Sequence, residues 1–329
     1  MAYCPTVPLG GFLLNGGNGL NYNRWGSACS HVRAIDLVLA DGREITVSDE
    51  NHPDLFWAAC GAGPGFFAVA TRFHVALRPL PRALTLSSFV FAFEDAATVW
   101  RLVDDLSSSL SRDAGLSVGI TTAPQGSANA GKVIVSVLGI AFADNRDQAA
   151  TLLAPLNGDL RVKKALSSAV NVPSDLNGLH GAVGAALPGG HRYVADNIWS
   201  NQPLATVLEG MAEHYAKAPS AVSNIMAPCF HPEFALEGTA HSMWGRQLVL
   251  QYTLWTDESM DAPNQAWHAD AMSLLDSHKV GRYVGEADLT RSRDPARECY
   301  APPAWQRLRA LRAAYDPGGL FFDYLGMAG

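Results

Sequence analysis

Hydrophobic and polar positions in the N-terminal part of the chain follow a pattern that predicts strands with one short helix between them. Val32 to Ala40 is an apolar run ending at Asp41-Gly42, and β-branched residues resume at Glu44 to Val47, so we expect a hairpin with a tight turn. A short helix is predicted over Pro53 to Ala59. Phe66 to Leu77 is rich in aromatic and β-branched residues, which predicts a buried strand.

A proline-rich polar segment, Arg78 to Arg82, marks the first predicted domain boundary. Beyond it, strand patterns alternate with amphipathic helical patterns, as in an antiparallel sheet covered by helices on one face. We therefore predict an α+β lobe. Its predicted strands cover residues 84–93, 116–122, 132–141, 221–228 and 247–255, and its predicted helices cover 96–110, 145–156, 203–216 and 262–275. A further helix is predicted over 302–315, near the C-terminus.

The composition of the chain limits the classes of function. With 329 residues, 48% of them hydrophobic and 17% charged, the chain is expected to bury a sizeable core and to form more than one domain. A net charge of −7 without any basic run argues against nucleic acid as a partner. No segment has the roughly 20 apolar residues of a membrane span, and the N-terminus lacks a signal-peptide pattern. We expect a soluble, cytoplasmic protein that binds no membrane.

The cysteines and histidines predict neither disulfides nor a metal site. The five cysteines include no Cys-x-x-Cys pair, and their odd number favours reduced thiols. His214, His231 and His241 have a spacing that fits no helix turn or zinc knuckle. They are interpreted as solvated or hydrogen-bonded histidines, and no metal is predicted.

Glycines close to the N-terminus form the clearest candidate for a binding loop. Without a Cβ they allow positive φ and a close approach to a flat or anionic ligand, and successive free amides can form a nest for pyrophosphate. Their spacing matches neither the Rossmann nor the P-loop pattern. The alternative is a purely structural glycine-rich loop. The glycines concerned are Gly10, Gly11, Gly16, Gly17 and Gly19.

Motifs at both ends of the chain resemble one family. The sequence Cys4-Pro-Thr-Val-Pro-Leu-Gly-Gly, followed by Asn15-Gly-Gly-Asn-Gly and by Gly61-Ala-Gly-Pro-Gly-Phe-Phe, is similar to the second half of the FAD domain in berberine-bridge-enzyme-like oxidases of the vanillyl-alcohol-oxidase superfamily. Tyr315-Asp-Pro-Gly-Gly-Leu-Phe resembles their C-terminal segment, whereas the middle matches only loosely. The resemblance implies part of a PCMH-type FAD-binding domain at 1–80, a substrate lobe at 84–299, and a segment at 300–329 that returns to the first domain.

The resemblance also implies which residues bind FAD. Cys4 takes the place of a cysteine that can bond covalently to the flavin, and the alternative is a frayed terminal cysteine. Phe66 and Phe67 fall in a loop that closes around the cofactor, although an ordinary core strand is a competing interpretation. The implied cofactor-binding set is Cys4, Pro5, Thr6, Val7, Gly10, Gly11, Gly16, Gly17, Gly19, Gly65, Phe66, Phe67, Val69, Asp323 and Tyr324.

Two residues are implied to act in catalysis. Gln251 lies on the apolar strand Leu248-Val-Leu-Gln-Tyr, where relatives place Glu or Gln facing the substrate; a Gln orients a substrate group but is no base. Glu286 falls where relatives often carry a catalytic tyrosine, and a buried carboxylate whose pKa approaches neutrality is a reasonable base. The alternative for Glu286 is a solvated loop residue.

The resemblance covers only the second of the family's two FAD subdomains. It implies an FAD-dependent oxidoreductase that takes hydride from a C–H bond next to oxygen or nitrogen of a small organic substrate. The implied partners are that substrate and either a separate N-terminal FAD lobe or a second copy of the chain. The alternative function is a non-catalytic or partner-dependent module that binds FAD weakly or not at all.

Overall fold

The computed structural model describes residues 2, 4, 6–231, 238–290 and 294–327 and separates into two compact units. Unit 1 comprises Met1–Pro79, Ala235–Met243 and Gly281–Gly329. Unit 2 comprises Leu80–Phe234 and Trp244–Val280. The resemblance implies one lobe over 84–299, whereas two segments of that range belong to unit 1. Within these segments, His241 packs against Gly16 and Tyr283 is bonded to the backbone of Gly17.

The helices and strands are numbered in chain order. The helices are α1 (Leu9–Leu14), α2 (Tyr22–Trp25), α3 (Pro53–Ala59), α4 (Ala96–Ser107), α5 (Arg146–Asn157), α6 (Leu176–Ala186), α7 (Leu204–Val207), α8 (Met211–Tyr215), α9 (Asp261–Asp276), α10 (Asp294–Glu298) and α11 (Pro302–Tyr315). The strands are β1 (Val32–Val38), β2 (Glu44–Ser48), β3 (Val69–Val75), β4 (Ala83–Ala92), β5 (Ala114–Thr122), β6 (Val133–Ala143), β7 (Ser167–Ser174), β8 (Arg192–Ser200), β9 (Asn224–Cys229) and β10 (Gln247–Trp255).

Unit 1 is built on an antiparallel sheet with the strand order β2-β1-β3. β1 and β2 form the predicted hairpin, with Ile35 opposite Val47 and with Gly42 at a φ of 83° in the turn. Ile35 and Leu37 are buried, and alternate residues of β1 are less so. Because side chains alternate between the two faces of a strand, this pattern places one face of the sheet against the core of unit 1.

The prediction of a buried strand over 66–77 is wrong for most of that range. β3 begins only at Val69, and the side chains along it are mostly exposed, with Val69 itself 51% exposed. Phe66 and Phe67, which precede the strand, are buried. β3 is an edge strand with a partner on one side only. The β-propensity of these residues therefore predicts the strand correctly. It does not predict the exposure of the strand, which depends on whether other elements cover the sheet.

Unit 2 is built on a larger antiparallel sheet with the order β7-β4-β6-β5-β9-β10-β8. α4, α5 and α9 pack against its strands. Val99 of α4, Val118 of β5 and Leu275 of α9 share one buried apolar cluster. Helices on an antiparallel sheet confirm the predicted α+β class.

Three elements of unit 2 have no counterpart in the sequence prediction: β7, α6 and β8. β7 contains Pro173 and several serines and is almost entirely exposed, so no apolar alternation marks it. β8 buries Asp196 and Asn197 along with its apolar residues, which hides its periodicity. The single helix predicted over 203–216 is divided into α7 and α8 because Gly210, at a φ of 76°, interrupts it.

Within the described part of the chain, no helix combines the length and the apolar character needed to cross a bilayer.

His241 is the residue around which the glycine segments of unit 1 pack. A Cβ on Gly16 would lie 2.6 Å from the His241 ring, and one on Gly61 would lie 2.1 Å from the His241 backbone nitrogen. Both glycines have positive φ, at 90° and 133°. The His241 N–H donates to the carbonyl of Cys60 at 3.2 Å. Gly16 and Gly61 are therefore required by close packing as well as by backbone conformation.

We expect Gly61→Ala to destabilise unit 1 by about 3 kcal/mol, because an alanine would combine unfavourable φ with a backbone clash. Urea unfolding measures the loss. Gly318→Ala is the matched control in the same unit, since no atom lies within 4 Å of a Cβ there and its φ is not positive. Equal midpoints for the two variants would contradict this account of Gly61.

We also expect His241 to make unit 1 less stable in acid. Burial lowers the pKa of His241 from 6.5 to about 4, so between these values the unfolded chain binds a proton that the folded chain does not. Its contribution to stability is therefore complete above about pH 6.5 and falls as the pH decreases towards 4, by at most about 3 kcal/mol.

Urea midpoints measured across this pH range check the expectation about His241. His241→Gln should show a shallower loss of stability with acid than the wild type, whatever its absolute stability. His52→Gln, at an exposed position of unit 1, is the control and should follow the wild-type slope. A His241→Gln slope equal to that of the wild type would rule out this titration.

Candidate cofactor site

The N-terminal glycines fall into two structural groups. Gly10 and Gly11 lie in α1, and a Cβ on Gly11 would meet no atom within 4 Å. Gly16 and Gly17 form a buried turn at positive φ, where their carbonyls accept hydrogen bonds from the amides of Cys29 and Ala28. The alternative of a purely structural glycine-rich loop therefore accounts for Gly16 and Gly17, because hydrogen bonds and packing within unit 1 hold their conformation without a ligand.

Asn18, inside this glycine turn, has polar atoms without partners. Both its Oδ1 and its Nδ2 are buried and make no hydrogen bond within the described residues, and Asn15 Oδ1 and His241 Nε2 share that condition. A buried polar group left unpaired costs about 1–3 kcal/mol. Such groups beside a positive-φ glycine turn are suited to a ligand that supplies the missing donors and acceptors.

Tyr283 connects the glycine turn with Glu286. The backbone amides of Gly17 and Asn18 donate to the Tyr283 hydroxyl, while burial and, second to it, the charge of Glu286 raise the pKa of this phenol. Glu286 itself is half-buried, and its amide donates to the carbonyl of Tyr283 at 3.1 Å. Within unit 1, Tyr283 thus links Glu286 to the turn that carries the unpartnered side-chain carboxamide of Asn18.

The loop at Gly65 packs against the C-terminal segment. A Cβ on Gly65 would lie 2.4 Å from the side chain of Leu325. Phe67 is fully buried and stacks on Tyr315 with ring centroids 6.4 Å apart, and Phe66 belongs to the same apolar core. Both phenylalanines therefore have a packing role, which agrees with the alternative of a core segment, and their contact with a cofactor stays a prediction.

Asp323 and Tyr324 occupy different environments in the C-terminal segment. Asp323 Oδ1 accepts a hydrogen bond from the amide of Met327 at 2.9 Å. Tyr324 is 44% exposed, and its ring contacts Phe322 edge to face. Asp323 thus shapes the last described turn, while the Tyr324 ring keeps an exposed surface.

The segment around Cys4 lies beside the glycine turn. A backbone bridge pairs Ala2 with Gly19. The Cys4 thiol is half-exposed and lies 3.1 Å from the Thr6 hydroxyl, and Val7 is exposed. Pro5, also predicted to bind the cofactor, lies outside the described residues. The cysteine is therefore chemically accessible, as covalent attachment would require.

Gln251 belongs to unit 2 and is fully buried. Its Nε2 donates to the Thr253 hydroxyl at 3.2 Å, and that hydroxyl lies 2.9 Å from Nδ1 of His268 in α9. This network lies between β10 and α9 and gives Gln251 Nε2 a partner, whereas Gln251 Oε1 is buried without one among the described residues. Gln251 and Glu286 are in different units, and their implied action in catalysis stays a prediction.

Asn18, Tyr283 and His241 are the site residues that sequence reasoning missed. Asn18 stands inside the Gly-Gly-Asn-Gly motif, which is a signal for it, although the reasoning from backbone conformation points to the glycines alone. Tyr283 opens the segment that identified Glu286. Only the contacts of unit 1 reveal His241, because it is remote in sequence from both glycine loops.

Comparisons of sequence find relatives that are FAD-linked oxidoreductases. The chain is 28% identical over 315 residues to the FAD-linked oxidoreductase janO of Penicillium janthinellum, which covers 94% of this chain and 68% of that protein. It is 32% identical over 300 residues to penO of Penicillium crustosum, covering 87% and 63%. The chain thus spans about two thirds of the length of these relatives. No protein-family model matches it.

Comparisons of structure find flavin oxidases. 6-Hydroxy-D-nicotine oxidase from Arthrobacter nicotinovorans has a TM-score of 0.81 at 22% identity, covering 99% of this chain and 72% of that one. Glucooligosaccharide oxidase from Acremonium strictum gives 0.81 at 18%, covering 98% and 72%. Berberine bridge enzyme from Eschscholzia californica gives 0.77 at 18%, covering 99% and 71%. At these identities the likeness establishes the fold.

The motifs at both ends of the chain, the fold and the relatives agree with one another, and the chain is a homologue of the FAD-linked oxidoreductases with the fold of the berberine-bridge-type flavin oxidases.

Proposed function

We propose that this protein is an FAD-dependent oxidoreductase that takes hydride from a C–H bond next to oxygen or nitrogen of a small organic substrate. The observation that carries the proposal is the buried and unpartnered carboxamide of Asn18 within a positive-φ glycine turn. The activity of the relatives, which carry the name FAD-linked oxidoreductase, supports the reaction class.

The residues of unit 1 fit FAD as the cofactor. The N-terminal segment offers backbone amides, the half-exposed thiol of Cys4 and the unpaired atoms of Asn18 and Asn15. FAD, when bound, supplies the hydride acceptor. Covalent attachment through Cys4 is part of the proposal, and the 6-S-cysteinyl FAD of glucooligosaccharide oxidase, a protein of the same fold, supports it.

Glu286 is proposed as the group that removes a proton from the substrate. Its half-buried carboxylate and the Tyr283 phenol interact at one turn, so a hydroxyl or amine held there would have both a proton acceptor and a hydrogen-bonding partner. Gln251 is proposed as a positioning residue, since an amide transfers no proton and its Nε2 is bonded to Thr253. Roles in one site are decided by geometry with the substrate bound.

A second candidate function, a module that binds FAD weakly or not at all without a partner, has its own support. The chain spans about two thirds of its relatives' length. Apolar side chains on and after β3, including Val69, Val75 and Leu77, are exposed. Exposed apolar surface of this kind is suited to a partner, and the proposed partner is an N-terminal FAD lobe, with a second copy of this chain as the alternative.

We expect the 329-residue chain alone to bind FAD weakly, with a Kd above about 1 µM, because several hydrogen bonds to the pyrophosphate would be missing and each 1.4 kcal/mol lost is about tenfold in affinity. Calorimetric titration and the visible spectrum measure this. Supplying an N-terminal FAD lobe, fused or separate, should give a yellow protein. Submicromolar affinity of the chain alone would contradict the need for a lobe, and a protein that stays colourless with the lobe would favour the non-catalytic module.

We expect Asn18→Leu to separate cofactor binding from folding. Leucine has a similar volume and removes two unpaired polar atoms, so the urea midpoint of the cofactor-free protein should stay equal or rise. Affinity for FAD should fall by about tenfold to a hundredfold, corresponding to one or two lost hydrogen bonds. Asn129→Leu, in a loop of unit 2, is the control for both measurements. Lower stability with unchanged FAD affinity would make Asn18 a structural residue.

A further inference from the structure

Cys29 and Cys60 form a pair of thiols in the core of unit 1. Cys29 lies in the turn Ala28–His31, and Cys60 follows the last residue of α3. Both are 2% exposed and carry free thiols. The contact is reciprocal: Cys29 Sγ lies 4.0 Å from the carbonyl oxygen of Cys60, and Cys60 Sγ lies 3.9 Å from that of Cys29. Each side chain is thus directed at the other residue.

The two thiols differ in acidity. The hydrogen bond from Cys60, assisted by Ser27, lowers the pKa of Cys29, whereas the same hydrogen bond and burial raise the pKa of Cys60. Cys29 is therefore the thiol that loses its proton first, with Cys60 as the donor that stabilises its thiolate. A thiolate is the nucleophile in cysteine oxidation, and a neighbouring thiol resolves the product.

We propose that Cys29 and Cys60 are an oxidisable dithiol, a modification site that closes to a disulfide with hydrogen peroxide. The Cys29 thiolate attacks one oxygen of the peroxide, the O–O bond breaks, and Cys29 sulfenic acid and hydroxide form. The Cys60 sulfur then attacks the Cys29 sulfur, the S–O bond breaks, and the oxygen leaves as water. In sum, two thiols and one peroxide give one disulfide and two waters.

The position of the pair links its oxidation to the glycine turn. The Cys29 amide donates to the carbonyl of Gly16 at 2.9 Å, and the Cys60 carbonyl accepts from the amide of His241. A disulfide would covalently link Cys29, which holds the Gly16–Gly17 turn through its amide, to Cys60 at the end of α3. Two further cysteines have different surroundings: burial raises the pKa of Cys229 to about 12, and Cys299 donates to the carbonyl of Pro295.

Peptide mapping of the wild-type chain tests the proposal independently of any flavin. The protein is treated with hydrogen peroxide, remaining thiols are alkylated with iodoacetamide in denaturant, and the protein is digested with trypsin without reduction. We expect mass spectrometry to find the peptides 25–33 and 44–72, which contain Cys29 and Cys60, joined to each other and separated by dithiothreitol. Alkylation of both cysteines after peroxide, or cross-links to other cysteines instead, would overturn the proposal.

Single variants test the order of events. In Cys60→Ser, dimedone should trap a sulfenic acid on Cys29, whereas in Cys29→Ser it should trap none on Cys60. Cys229→Ser, which alters a buried cysteine of unit 2, should give the same cross-linked peptide as the wild type. Dimedone on Cys60 but not on Cys29 would reverse the assigned roles and so contradict the mechanism. Should either variant fail to fold, the wild-type map still decides.

Discussion

His241 fits beside Gly16 and Gly61 because neither glycine carries a Cβ, and the rest of unit 1 depends on this close approach. The segment that carries His241 reaches the unit from a distant part of the chain, yet its backbone lies within 2.1 Å of where a Gly61 side chain would begin. Dense packing of this kind leaves no room for adjustment. The glycine turn, the end of α3 and the residues around Tyr283 therefore hold one another in place.

The packing of unit 1 also determines its chemistry. A core that excludes water keeps the His241 ring neutral and leaves the Asn18 carboxamide without partners. It brings the thiols of Cys29 and Cys60 together, and it places the Tyr283 hydroxyl where it accepts hydrogen bonds from two backbone amides. Polar groups in a low-dielectric interior interact strongly with whatever polar partner reaches them. The same burial that costs stability in the free chain thus prepares these groups for a ligand.

The sequence predicts the α+β class, most of the strands and the importance of the glycine segment, since these depend on local periodicity and on backbone conformation. It does not reveal why Gly61 is needed, because that depends on His241, a residue remote from it along the chain. It missed β8, whose buried Asp196 and Asn197 interrupt the apolar pattern. For Gln251 the pattern of β10 predicts burial, but not that its Nε2 donates to Thr253 on the same strand, nor that the Thr253 hydroxyl pairs with His268 of α9.

The connectivity of unit 1 has a consequence for how the protein is made. Tyr300 donates to the carbonyl of Ala62, and Tyr315 donates to Asp54 across 261 residues of sequence. The N-terminal segment therefore leaves the ribosome long before the partners of its apolar side chains exist. At typical synthesis rates this interval is roughly 10 to 50 s. During that time the surface around α3 is open to chaperones and to other nascent chains, so expression at lower temperature or with added chaperones should favour soluble protein.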